Sequence, residues 1–383
     1  MSLQVITNAT VLLLNDVIQQ GWVAFADGTI QDMGAGVPPT GQVIDAQGAY
    51  LLPGFVDVHV HGAVGHDVMD ASLDNLHSMS AFFARCGVTS WLPTTLTASH
   101  EDTLKALRAV KQAMAQPAKG AHILGAHLEG PYLNIEKCGA QDTRYIRRAS
   151  LIEIDDILAL DVVRLASIAP EFPENIDAIK QMKQHGITVS AAHTAATYEQ
   201  MQAGIEAGIT HSTHTFNAMP SIHHRHPGGL TALLLDESVY CEVIADGIHV
   251  HPATLQLLIQ TKGIDKTILI TDAMRATGIG AGQYKLGDYD VTVDDRRATL
   301  ADGTLAGSIL TMDVALRNLL QIADYDIADI WRTTSYNATQ SIGIDNKGLI
   351  QIGYDADFVL VDKDVDVIMT ICAGDCVFDA HAT

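Results

Sequence analysis

The sequence predicts an α/β protein: a (β/α)8 TIM-type barrel with a small β-sandwich domain formed by both chain ends. Eight short apolar runs in the middle of the chain alternate with helix-like segments, as in a parallel barrel of strand–helix units. Both chain ends show short strands separated by turn signals instead. Hydrophobic residues make up 48% of the 383 residues, which is enough apolar material for a large core.

The chain ends predict one sheet domain of residues 1–50 plus residues 345–383. The first part contains "LQVITNATVLL", "GWVAFADGTIQDMG" and "GQVIDAQGAYLLPG", in which DG and QG mark turns. The second part contains "GLIQIGYDADFVLVD" and "VDVIMTICAGDCVFDA". Because neither end is long enough to make a sandwich alone, we expect the two ends to pair.

The catalytic barrel is predicted over residues 51–344. Its eight strand-like runs lie at residues 52–60, 87–93, 122–128, 162–170, 186–192, 209–215, 240–246 and 267–273. Amphipathic segments such as "HEDTLKALRAVKQAMA" lie between them. After the eighth run, "GQYKLGDYDVTVDDRRATLADG" predicts a β-hairpin insertion near 281–304, and helices near 311–323 and 327–337 complete the barrel.

The overall charge and the cysteines narrow the function class. The 23 basic and 45 acidic residues give a net charge of −22, which argues against binding to nucleic acid or to anionic membranes. The first residues do not resemble a signal peptide, and no apolar run is long enough to span a bilayer. The five scattered cysteines are typical of reduced thiols, so we expect a cytoplasmic protein.

Residue types that bind metals end five of the eight runs. They are His59 and His61 in "VDVHVHG", Glu129 in "HLEGPY", His193 in "AAHT", His214 in "STHTFNAM" and Asp272 in "LITDAM". The carboxyl ends of barrel strands meet at one face, so this set predicts a metal site there. Imidazole and carboxylate ligands suit Zn²⁺, with Fe²⁺ and Mn²⁺ as alternatives.

A set of three protein ligands leaves a coordination position open, which is typical of catalytic sites. Glu129, His193 and His214 make up such a set. Water at the open position becomes acidic enough to form hydroxide near neutral pH. An aspartate beside this water can accept its proton, and this combination predicts hydrolysis.

Several long motifs resemble the N-acetylglucosamine-6-phosphate deacetylase family of the amidohydrolase superfamily. They are "LPGFVDVHVHG", "LEGPYLN", "THTFNAMPSIHHRHPG", "CEVIADGIHVHP", "LITDAMRATG" and "DGTLAGSILTM". The resemblance runs from about residue 50 to "IQIGYDADFVLVD" and implies removal of acetate from an N-acetyl amino sugar 6-phosphate. "VHGAVGHDVMD" and "GVTSWLPTT" are similar to the branch that acts on N-acetylgalactosamine 6-phosphate, so inspection leaves the sugar open.

The resemblance also implies roles for individual residues. Glu129, His193 and His214 match the main metal ligands, His59 and His61 match the two-metal branch, and Asp272 matches the catalytic acid/base. One or two ions per chain are therefore expected. Substrate-binding positions are implied for Ala140, Gln141, Asn217, Ala218, Arg225, Asp246, His249, Leu305, Ala306 and Gly307. In the family, the residue matching Arg225 reaches the sugar phosphate from the neighbouring subunit, which implies a homodimer.

The chain departs from the family pattern at two positions. Gln141 replaces a histidine that helps to polarise the acetyl carbonyl, and His226 stands where glutamate is usual. Two other interpretations remain open at this point. One is a barrel amidohydrolase acting on a related amide, although its cyclic-amide members bridge two metals with a modified lysine, and here Glu129 occupies that place. The other is an inactive scaffold, which conflicts with a complete ligand set.

Overall fold

The computed structural model describes residues 2–323 and 325–382 and confirms an α/β fold with parallel strands. A three-stranded parallel sheet contains His122–Ile123, Val88–Pro93 and Phe55–Val60, in that order. A six-stranded parallel sheet follows in chain order, with strands Ala126–Glu129, Val163–Ile168, Thr188–Ala191, Ile209–Ser212, Tyr240–Ile244 and Thr267–Ile270. The third apolar run thus supplies two short strands, one to each sheet.

Bridges join the two sheets at both of their edges. Thr94 pairs in parallel with His127, and Val60 pairs in parallel with Ala273. Backbone hydrogen bonds reinforce both bridges, since Thr95 N donates to His127 O and Asp272 N donates to His59 O, each at 2.9 Å. All of these strands therefore point their carboxyl ends toward the same side of the molecule, where the predicted site residues lie.

Helices follow most of the parallel strands. They span Leu73–Arg85, His100–Ala115, Leu151–Leu158, Pro173–Gln184, Tyr198–Ala207, Gly228–Leu235, Pro252–Lys262, Met312–Ile322, Ile327–Ile330 and Tyr336–Ser341. The helix His100–Ala115 shows why such helices form. Its N-cap is Ser99, whose Oγ accepts a hydrogen bond from Asp102 N at 3.1 Å. It buries Leu107 and Val110, three residues apart, against the sheet. Among the described residues, no helix is long and apolar enough to cross a bilayer.

Both chain ends contribute to one eight-stranded sheet. Its order is Asp375–Asp379, Val367–Cys372, Phe358–Val361, Tyr50–Pro53, Gln4–Leu12, Val17–Ala26 and Thr29–Ala35, and Gln42–Asp45 also pairs with Gln4–Leu12. The two ends meet where Leu51 pairs with Leu360. The rings of Phe25 and Phe358 pack edge to face at 5.4 Å, so apolar burial holds the two chain ends together.

The segment after the last parallel strand forms antiparallel strands. They span Gly282–Leu286, Tyr289–Val293 and Ala298–Thr299, and a smaller pair, Gly62–Ala63 and His66–Asp67, follows the first parallel strand. Buried Leu286, Val291 and Val293 pack in a separate apolar cluster with Leu96 and Met274. This packing places the hairpin beside the carboxyl ends of the strands.

Candidate active site

The predicted metal ligands converge around the carboxylate of Glu129. Its Oε1 lies 3.1 Å from His214 Nε2 and 3.3 Å from His193 Nε2. Its Oε2 lies 3.2 Å from His61 Nε2, and Oε1 is 3.7 Å from His59 Nε2. All five side chains are buried. Two groups of possible ligands result, one on each side of Glu129: His59 with His61, and His193 with His214.

The hydrogen bonds of the histidines decide which ring nitrogen faces the cluster. In three rings Nδ1 contacts an oxygen that can only accept: His59 with Glu242 Oε2 at 3.0 Å, His61 with Thr94 O at 3.2 Å and His193 with Lys137 O at 2.8 Å. When a ring with this contact binds a cation in its neutral form, Nδ1 holds the proton and Nε2 directs a lone pair toward the cluster. His193 Nε2 and His214 Nε2 lie only 3.1 Å apart. Nitrogen lone pairs that face a carboxylate at such short distances are the arrangement that binds a divalent cation.

The charges of the cluster shift the protonation of its members when no cation balances them. Burial disfavours the charged form of His61, but hydrogen bonds and charges from Asp272 and Glu129 outweigh it and raise the pKa of His61 to about 9. Burial likewise opposes ionisation of Glu129, yet the neighbouring histidines hold its pKa well below the usual range. The site thus keeps its carboxylates ionised, and a cation that binds His61 displaces a proton.

Asp272 stands at the edge of the ligand cluster. Its Oδ1 lies 3.3 Å from His61 Nε2 and 3.6 Å from His59 Nε2, and its pKa is lowered because these rings outweigh burial. Its backbone is left-handed, with φ of 49°, and so are those of His193 and His214, with φ of 42° and 29°. A left-handed backbone conformation is energetically unfavourable for residues with a Cβ, and residues that adopt it are concentrated at functional sites. A carboxylate is thereby aimed at the space over the cluster.

A cavity of about 380 Å³ opens over the cluster. Seven of the ten predicted substrate-binding residues line it: Ala140, Gln141, Asn217, Ala218, His249, Leu305 and Gly307. Leu286 from the hairpin lines it as well. The volume suits a small polar molecule such as a monosaccharide derivative.

The structure places the other three predicted residues outside the cavity wall. Asp246 Oδ2 lies 2.6 Å from His249 Nδ1, so Asp246 orients a residue that lines the cavity. Ala306 is completely buried in the apolar cluster beneath the hairpin. Arg225 lies on an exposed loop, where its Nη1 is 2.8 Å from His224 Nε2.

Two buried carboxylates close to the ligand cluster, Glu242 and Asp57, were not predicted from the sequence. Glu242 is fully buried and contacts His59 Nδ1 and His211 Nε2, each at 3.0 Å. Asp57 accepts from Thr271 Oγ1 at 2.5 Å, and burial raises the pKa of Asp57 to about 7. The available signal was a charged residue inside each apolar strand, at "YCEVIAD" and "VDVHV".

A model of the amidohydrolase family matches residues 50–377. The chain belongs to the amidohydrolase family. The match covers both ligand groups and Asp272, and it confirms the resemblance that the motifs predicted. As an amidohydrolase, the chain is expected to bind a divalent metal, and its histidine and glutamate cluster fits one.

Curated relatives of this amidohydrolase are sugar-phosphate deacetylases. The chain is 39% identical over 382 residues to N-acetylglucosamine-6-phosphate deacetylase from Bacillus subtilis, covering 97% of this chain and 96% of the relative. It is 35% identical over 358 residues to N-acetylgalactosamine-6-phosphate deacetylase from Escherichia coli, covering 91% of this chain and 94% of the relative.

A solved structure resembles the whole molecule. It is a mutant of N-acetyl-D-glucosamine-6-phosphate deacetylase from Mycobacterium smegmatis in complex with N-acetyl-D-glucosamine 6-phosphate. The TM-score is 0.93 at 34% identity, covering 98% of this chain and all of that one.

Proposed function

We propose that this amidohydrolase removes acetate from N-acetyl-D-glucosamine 6-phosphate and leaves D-glucosamine 6-phosphate. The observation that carries this function is the Glu129-centred ligand cluster beside Asp272, at the base of a monosaccharide-sized cavity. The curated relatives with the same activity, at identities up to 40%, support it. Deacetylation would place the amide at the cluster and the sugar against the outer wall.

The chemistry follows from the chain's own groups. A divalent cation, when bound, supplies a Lewis acid for the amide carbonyl and lowers the pKa of water. Asp272 accepts the proton of the attacking water and returns it to the amide nitrogen as that nitrogen leaves. Gln141 lies in the same wall and offers an amide N–H to the carbonyl oxygen, where negative charge gathers during attack.

The sugar phosphate needs recognition from cationic or donor groups. Asn217, Ala218 and His249 line the cavity, which supports a role for them in binding the sugar and its phosphate. Among the described residues that line the cavity, Lys137 is the one cationic side chain other than histidine. We therefore propose a homodimer in which Arg225 of each exposed loop reaches the phosphate in its partner's cavity.

Further proposals concern the metal, the architecture and the location. The all-nitrogen-and-oxygen ligand set supports Zn²⁺, and the two groups around Glu129 support two ions.

Bridges at both sheet edges support a closed (β/α)8 barrel over residues 51–344. The shared terminal sheet supports a β-sandwich domain of residues 1–50 plus 345–383. A phosphorylated substrate favours a cytoplasmic location.

A second candidate substrate is N-acetyl-D-galactosamine 6-phosphate, because a relative with that activity is 35% identical. The test is acetate release from both 6-phosphates side by side, after metal analysis of the protein. We expect a higher kcat/KM for the gluco substrate. A higher value for the galacto substrate would assign the chain to the second activity, and no release from either would contradict deacetylation.

A further inference from the structure

Glu242 is a buried carboxylate on the interior side of the strand Tyr240–Ile244. The side chain is 0% exposed. An ionised carboxylate without partners is costly in such a place, so its contacts indicate why it is there. It lies below the cavity and is absent from the cavity wall. It therefore has no direct route to a substrate.

The contacts of Glu242 lead to both ligand groups. Its Oε2 lies 3.0 Å from His59 Nδ1 and accepts from the backbone N–H of His214, also at 3.0 Å. Its Oε1 lies 3.0 Å from His211 Nε2. His59 belongs to one group of ligands and His214 to the other, so one carboxylate oxygen connects them.

The two contacts to ligands have different consequences. A carboxylate bound to Nδ1 of His59 fixes the ring with Nε2 toward the cluster and makes that nitrogen a better ligand. The contact to His214 supports a left-handed backbone, with φ of 29°, and does not touch the ring. Loss of the carboxylate should therefore affect the ligand quality of His59 far more than that of His214.

We propose that Glu242, held by His211, is a positioning residue for the second cation, the one bound by His59 and His61. This inference rests on the proposed two-ion site, and it adds a residue that supports the ion without contacting it. A third cation between His59, His127 and Glu242 is not favoured. His127 Nε2 already contacts Ser167 Oγ at 2.7 Å, and its Nδ1 contacts Val58 O at 3.1 Å.

The test measures binding of Zn²⁺ and of Mn²⁺ by the metal-free full chain, with equilibrium dialysis and ion content per chain. Glu242→Gln keeps the size and removes the charge. We expect affinity for the second ion to fall about 10- to 100-fold, while the first ion binds within about 3-fold of the unmodified chain. In Mn²⁺ samples, the spin-coupled signal of an ion pair should give way to that of single ions.

Ser190→Ala is the matched control. Ser190 Oγ is buried in the same interior and contacts Thr213 Oγ1 at 2.6 Å, and within the described part of the chain it forms no hydrogen bond with a predicted ligand. The Ser190→Ala variant should bind both ions with the affinities of the unmodified chain. Normal binding of two ions by Glu242→Gln would overturn the proposal, and so would an unmodified chain that never binds a second ion.

If Glu242→Gln does not fold, two substitutions at His211 test the proposal instead. His211→Leu removes the donor to Glu242 Oε1, whereas His211→Gln retains a donor near Nε2. We expect second-ion affinity to fall in the leucine variant and to recover in the glutamine variant. Equal affinities in both variants and the unmodified chain would overturn the proposal. Because metal alone is the probe, a failure to release acetate would count against the proposed function and leave this inference standing.

Discussion

The side-chain amide of Gln141 donates a 2.6 Å hydrogen bond to Oε2 of Glu129, the carboxylate at the centre of the ligand cluster. The amide oxygen accepts from the backbone N–H of Thr97 at 2.8 Å, which fixes the orientation of the group. Gln141 is only 5% exposed and lines the cavity. One amide hydrogen thus holds Glu129, a predicted metal ligand, and we propose that the other meets a substrate carbonyl.

We expect Gln141→Ala to lower kcat by about 10²-fold, because it removes a donor to the developing oxyanion. Gln141→His should restore much of the rate, since histidine also donates a hydrogen bond. Steady-state kinetics with metal content measured in each sample would separate the two roles of the amide. Lost metal in the alanine variant would assign the effect to Glu129, and normal kcat with normal metal would exclude Gln141 from the mechanism.

We expect alanine substitutions in the two ligand groups to have different effects on the number of bound ions. His193→Ala or His214→Ala should abolish tight metal binding, because each leaves Glu129 with one histidine on that side. His59→Ala should remove the second ion and leave the first. Metal content after dialysis against Zn²⁺ checks both. Full metal content and activity in His193→Ala would show that the main site lies elsewhere.

Asp272→Asn keeps the shape of the side chain and removes its ability to accept a proton. We expect kcat to fall by at least about 10²-fold with little change in KM, as for a lost general base. Asp290→Asn is a suitable control, because Asp290 is an exposed residue of the hairpin that pairs with Lys285. A nearly normal kcat in Asp272→Asn would mean that another group accepts the proton.

Arg225→Ala tests phosphate recognition across a dimer interface. A guanidinium forms two parallel hydrogen bonds with a phosphate, so KM for the 6-phosphate should rise far more than KM for the unphosphorylated sugar. Arg296→Ala, on the hairpin surface, should change neither. Equal effects of Arg225→Ala on both substrates would remove the arginine from phosphate binding. A mixture of inactive Asp272→Asn and Arg225→Ala chains should regain activity if the arginine acts in the partner's cavity.

A buried ion-pair cluster around Lys347, away from the active site, is expected to stabilise the fold. Lys347 Nζ lies 2.6 Å from Asp357 Oδ2 and 2.7 Å from Asp355 Oδ2, and the residue is 8% exposed. Lys347→Met leaves a buried carboxylate without its cation and should cost about 3–5 kcal/mol of unfolding free energy. Denaturant unfolding measures the loss. Exposed Lys363→Met should have almost no effect.

The same ion pairs have a defined pH dependence. Burial disfavours the charged form of Lys347, but Asp357 and Asp355 outweigh it and raise the pKa of Lys347 above its ordinary value. A raised folded pKa contributes stability that is complete below the unfolded value of about 10.4 and is lost as pH rises through the folded value. The stability difference between the unmodified chain and Lys347→Met should therefore shrink above about pH 10.4.

The sequence by itself determined the parallel α/β fold and which histidine and carboxylate side chains gather at one end of its strands. Apolar runs that alternate with amphipathic helices place strand ends on one face, so residues far apart in the chain, such as His61, Glu129 and His214, had to meet. The long motifs around them then identified the family, because their spacing reflects fixed positions at those strand ends.

Only the tertiary structure decided the residues that support the ligands. Strands buried on both faces give no alternation from which to tell which side chain points inward, so nothing in "YCEVIAD" assigned Glu242 to His59. The contact of Gln141 with Glu129 depends on how a loop returns over the cavity. Such contacts join atoms from different strand–loop units, and their distances are fixed by packing of the whole fold rather than by local sequence.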